Sequence, residues 1–209
     1  MNRKLLRNER PGQREFFGFF LCLIFFVAGV VVGTLSAGNL PDSEIRALES
    51  SMAGRIGQIA DGTYVAPRFL SAFWSLGNYH LLVLFLGFSL LGAFVLPLLS
   101  AVRGFYLSFS IAAFIQVFGV GDWPVAFSLF GVSSIIAIPC FFLLASQAFA
   151  ASTQLGRTLM KSGNIQAKTL YNSHYIMRTV LCFLGLMAAV LIELYVTPSL
   201  VAWVSVALK

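Results

Sequence analysis

Glu193 is the one acid inside or at the edge of an apolar run in this sequence. A carboxylate in such a run marks a functional site by default and needs a partner. Proton or ion coupling is the chemistry it would offer. It stands near the outer end of its run, however, and no base is expected mid-membrane to pair with it. A hydrogen bond to a tyrosine, to an amide such as Asn78 or to a helix end is the expected role.

Other reactive groups do not assemble. Gly119-Val120-Gly121-Asp122 reads as G-x-G-D, a string used by intramembrane aspartyl proteases. That chemistry needs two aspartates at one site. Asp42 and Asp61 lie in a polar segment, and Asp122 falls in a turn. His80 and His174 belong to opposite sides of a membrane, so no shared metal is expected. Cys22, Cys140 and Cys182 all sit in apolar runs, as small packing residues do. There is no HExxH, no G-x-S-x-G and no phosphate-binding glycine loop. No catalytic residue, cofactor or metal is expected.

The elements around these residues are membrane elements. Of 209 residues, 58% are hydrophobic and 11% charged, with mean hydropathy +0.86. A soluble domain carries about a quarter charged residues. The net charge of +6 is read as loop bias that orients the chain, not as a nucleic-acid surface.

Residues 1–15 form a basic cytoplasmic arm, and residues 16–209 one membrane domain. Five spans are expected, at about 16–35, 80–100, 104–119, 124–151 and 177–195. The second and third form a hairpin hinged on Arg103-Gly104. Gly29 and Gly33 make a GxxxG pair that can pack closely on another helix. Pro139 should kink the fourth span, with Ser133 and Ser134 serving the freed backbone groups. The loop 152–176 has bases and no acid, so it is assigned to the cytoplasm. Residues 199–208 form a short interfacial or tucked helix. With the N-terminus inside, ten bases lie inside and four outside, which favours N-in and C-out.

The outer segment 36–77 is the one sizeable stretch between spans. Ile45, Leu48, Met52 and Ile56 recur at three- and four-residue steps, one face of an amphipathic helix. Asp61-Gly62 should stop it. Phe69, Phe73 and Trp74 form an aromatic stripe of the kind found on interfacial helices. Both faces fit either packing on the protein's own spans and lipid, or docking of a partner.

With Gly87, Gly92, Arg103-Gly104, Pro139 and the ending Glu193-Leu194-Tyr195-Val196-Thr197-Pro198 in view, the chain resembles the stage II sporulation protein M family. A wider related group carries His-Gly and Glu before the fourth-span proline. Ser133-Ser134 and Ala137 stand there instead, which is similar to the sporulation branch. The resemblance implies an all-α integral membrane scaffold without catalytic residues. It implies peptidoglycan-degrading partners resembling stage II sporulation proteins D and P, and a place in the mother-cell membrane during engulfment. On that reading Ile45, Leu48, Met52, Ile56, Phe69, Phe73 and Trp74 dock the partner. Gly87, Gly92, Arg103, Gly104, Pro139 and Glu193 then hold the bundle. Two alternatives are a small transporter or permease subunit, with a solvent-accessible cavity reaching Glu193, and a generic membrane-assembly protein of the wider group.

Overall fold

The computed structural model describes residues 11–60, 63–65, 67–161 and 173–207. Residues 1–10 of the basic arm, the stop at Asp61-Gly62 and residues 162–172 of the loop 152–176 lie outside the described residues. The described chain is helical, with helix α1 at Pro11–Gly38, α2 at Asp42–Ala60, α3 at Phe69–Gly87 and α4 at Gly92–Phe118. A 3-10 turn Val120–Asp122, a short helix α5 at Trp123–Ala126 and a π turn Phe127–Gly131 lead into α6 at Val132–Lys161. Then come α7 at Ser173–Leu191, a second π turn Ile192–Val196, and α8 at Thr197–Ala207. Among the described residues five helical stretches are long and apolar enough to cross a membrane.

The number of spans matches the sequence reading, but their division does not. Arg103-Gly104 is no hinge: both residues lie in the middle of α4. The reversal falls at Phe88–Leu91, between Gly87 and Gly92. It is closed by Phe88 N–H to Phe85 O at 3.1 Å, Ser89 N–H to Leu86 O at 3.0 Å and Gly92 N–H to Ser89 O at 3.2 Å. A Cβ at Gly92 would collide with the carbonyl oxygen of Leu86. Ser152 of α6 staples this turn. Its hydroxyl donates to Ser89 O at 2.8 Å and accepts from Ala93 N–H at 2.9 Å. Ser152 is buried, so Ser152→Ala leaves the Ala93 N–H and the Ser89 carbonyl without this partner. We expect a loss of about 2 kcal/mol, read as a lowered melting temperature in mild detergent.

Other boundaries also shift. The aromatic stripe is not on a separate interfacial helix: Phe69–Gly87 is continuous. Helix α6 continues past residue 151 to Lys161. Helix α8 follows the second π turn directly rather than standing apart, and its Val201 is fully buried.

The glycines of α1 decide how the bundle closes. Cβ atoms on Gly29 and Gly33 would collide with α4, at the carbonyl oxygens of Ala101 and Phe105 and the Ser108 hydroxyl. Gly104 of α4 faces the Phe26 carbonyl in the same way. The GxxxG pair is thus mated within the chain, backbone against backbone. Around this seam lies a core of Cys22, Val83, Leu96, Phe141 and Leu144. A second cluster joins α3, α6 and α7 through Leu76, Ala137, Leu186 and Val190. A third, at the α2 end of the bundle, gathers Ile59, Phe114, Val125, Ala126 and Val201.

Candidate functional site

Helix α2 lies against that third cluster. Its apolar stripe is turned inward: Ile59 is buried, and Met52 and Ile56 pack on the cluster as half-buried residues. Ile45 and Leu48 are half-buried further along. Of the aromatic stripe, Phe73 packs inward on the Leu76 and Leu186 cluster. Phe69 and Trp74 remain exposed at 42% and 63%, with Leu70 beside them at 74%.

Between α2, the end of α4, the two π turns and α8 is a cleft of about 480 Å³. Met52, Ile56, Ile59, Phe114, Leu129 and Phe130 give it apolar walls. Glu193, Thr197, Ser75, Ser51 and Tyr64 bring polar groups to it. Local chemistry explains the bend of chain that supplies two of them. Pro198 has no N–H, so the α-helical bond to Leu194 O cannot form. The chain takes a π turn instead, with Thr197 N–H reaching Ile192 O. Such turns recur at functional sites. Thr197 is only 6% exposed, and its Oγ1 has no hydrogen-bond partner among the described residues.

Behind the cleft the structure corrects the expectation that no base stands within the spans. Arg103 sits mid-helix in α4, with its guanidinium carbon 4.9 Å from the centre of the Tyr79 ring on α3. A cation over a desolvated aromatic face contributes about 2 kcal/mol. Arg103 is also within electrostatic reach of Glu193. Next to Tyr79, His80 lies inside α3 rather than at a span's outer end, and it is 1% exposed. Its Nδ1 is 3.2 Å from Leu76 O and its Nε2 3.2 Å from Ala137 O. A neutral imidazole can donate to only one of these. The Ala137 contact crosses to α6 just before Pro139, whose missing N–H leaves the Ile135 carbonyl without its helical donor. Ser134 does not serve that carbonyl: its hydroxyl donates to Phe130 O at 2.6 Å instead.

Thus Glu193 faces the cleft and Pro139 adjoins the His80 contact. Gly87 and Gly92 flank the turn, and Gly104 seals the α1–α4 seam. Tyr79 was missed by sequence reasoning, which weighed His80 only as a metal ligand and named Thr197 only as part of the chain's ending. Only Thr197 carried a signal, the adjoining Pro198. The G-x-G-D string forms a turn, with Gly119 at φ 99° and Asp122 closing the 3-10 turn. Cys22, Cys140 and Cys182 are free thiols. Among the described residues no three His, Cys, Asp or Glu side chains could hold a metal ion.

No curated protein and no solved structure matches the chain. A family model described as stage II sporulation protein M matches residues 22–198. The matched stretch runs from Cys22 in the α1 core to Pro198 beside the cleft, so it takes in the glycine seam, the stapled turn, Arg103 and Glu193. The chain therefore belongs to the stage II sporulation protein M family, as a sporulation-related membrane protein.

Proposed function

We propose that the chain is a non-enzymatic membrane scaffold that recruits and anchors peptidoglycan-degrading enzymes during engulfment. In this reading the N-terminus is cytoplasmic, α2 faces outward, and the protein resides in the mother-cell membrane. The observation that carries the proposal is the family match across nearly all of the bundle. Partners would be hydrolases resembling stage II sporulation proteins D and P.

The geometry refines which residues to test for docking. Met52 and Ile56 pack on the protein's own bundle, so replacing them with aspartate would undock α2 as well as any partner. Phe69 and Trp74 are exposed on α3, and their replacement leaves the core intact. The tagged protein, drawn from sporulating cells in mild detergent, is expected to bring peptidoglycan hydrolases with it. The Phe69→Ser, Trp74→Ser double variant should reach the membrane at normal levels and recover at least tenfold less hydrolase. Undiminished recovery would remove this surface from the proposal. Absence of hydrolases from the wild-type sample would remove the scaffold reading.

One observation favours a second reading. A small transporter or permease subunit would need a cavity reaching an intramembrane acid, and the cleft is lined by Glu193. Substrate flux in proteoliposomes, abolished by Glu193→Gln, would support it.

A further inference from the structure

We infer that the α2 end of the bundle is seated in the headgroup layer of one lipid leaflet, where Trp74, Trp123 and Trp203 meet phospholipid ester carbonyls and phosphates. These are the three tryptophans of the chain, and all are exposed, at 63%, 57% and 72%. Placement is the first argument. Trp123 stands two residues before Val125, and Trp203 two residues after Val201. Both valines belong to the cluster that seats α2. Trp74 adjoins Ser75, which lines the cleft beneath α2. At the opposite end Arg178 of α7 pairs with Glu15 of α1 at 2.9 Å, and no tryptophan stands there. A tryptophan ring joins a large apolar face to one N–H donor, so it favours the depth where hydrocarbon gives way to polar headgroups.

The second argument is the order of exposed side chains along two spans. On α3 exposed Arg68 precedes the helix, Leu70 and Trp74 follow, and Leu82 and Phe85 come after them. On α7 and its continuation Leu184 and Leu191 give way to Tyr195 and then to Trp203. Each span thus passes from purely apolar exposed residues to amphipathic rings as it nears α2. Length agrees with this depth. At 1.5 Å per residue the 19 residues of α3 cover about 28 Å, close to the ≈ 30 Å of a hydrocarbon core. Arg68 then reaches phosphate level, and the Phe88–Leu91 turn falls at the other face.

The third argument is continuity. Lipid must already cover Leu82, Phe85, Leu184 and Leu191 on the spanning helices. The same occupant extends along these helices to the rings without a gap. The inference does not rest on the scaffold reading. A partner that meets Phe69 and Trp74 would do so at headgroup depth, and the test needs no partner.

The test measures depth. In the full chain, Trp123→Phe with Trp203→Phe leaves Trp74 alone to emit, and the two matching pairs isolate Trp123 and Trp203. Each variant is placed in phosphatidylcholine vesicles. Its emission is quenched in turn by phosphatidylcholine with a nitroxide on the headgroup, by phosphatidylcholine with a nitroxide near the chain's methyl end, and by aqueous iodide. Each tryptophan should be quenched at least twofold more by the headgroup nitroxide than by the deep one. A smaller ratio in any variant overturns the seating, as does quenching by iodide with no response to either lipid. Circular dichroism confirms that the variants fold. Should one fail that check, the wild-type chain, whose emission sums the three rings, must show the same twofold ratio.

Discussion

Gly29→Leu is expected to abolish recovery of folded protein from detergent extracts. Already a Cβ at this position collides with the Ala101 carbonyl, a backbone atom that cannot rotate away. A leucine adds three more carbons to that collision. Overpacking a closed interface costs about 1–3 kcal/mol where side chains can yield, and here α1 must move off α4. Gly104→Leu should do the same from the other side, against the Phe26 carbonyl. Gly57→Ala is the control. Its surroundings are open on α2, so alanine should gain roughly 0.5–1 kcal/mol of helix propensity. Size-exclusion profiles of fluorescently tagged variants report all three. A monodisperse Gly29→Leu protein at wild-type yield would show that the seam is not what closes the bundle.

This seam shows what the sequence revealed and what it hid. Gly29 and Gly33 signalled a close-packing face, because glycine spacing is local. Which helix fills it is a long-range fact, and nothing near Gly29 points to Ala101. The misplaced hairpin has a similar cause. Phe88-Ser89-Leu90-Leu91 carries no charge or proline, so it looks like span. Its true markers, Gly87 and Gly92, resembled packing glycines. Arg103, a base in an apolar run, looked like a loop residue. Its place inside α4 depends on Tyr79 and Glu193, far away in the sequence. Likewise the α2 stripe was legible as an amphipathic face, but its inward direction was set by Phe114 and Val201. The cleft was legible only through Glu193. Its other walls come from five separate elements, α2, α3, α4, the first π turn and α8.

Arg103 and Glu193 therefore offer the test that separates a paired interior from two independent polar residues. Opposite charges attract more strongly where water is excluded. Removing one partner of such a pair costs up to about 3–5 kcal/mol when fully buried. Arg103 is only partly buried and also rests on Tyr79, so the expected cost of Arg103→Met is smaller, about 2 kcal/mol. Glu193→Gln keeps shape and hydrogen bonding and should cost about 1 kcal/mol. The decisive quantity is the double variant. When Arg103 is already methionine, Glu193→Gln removes a carboxylate that no longer feels that cation, and it should cost less than it does beside Arg103. A coupling of at least about 1 kcal/mol is expected from the cycle, measured by thermal unfolding in one detergent. Arg103→Lys adds a second discrimination. It keeps the charge that Glu193 feels but loses the planar face set over Tyr79. It should fall between wild type and Arg103→Met. Additive losses across the cycle would mean that Arg103 serves Tyr79 alone, and that Glu193 keeps its place at the cleft independently of Arg103.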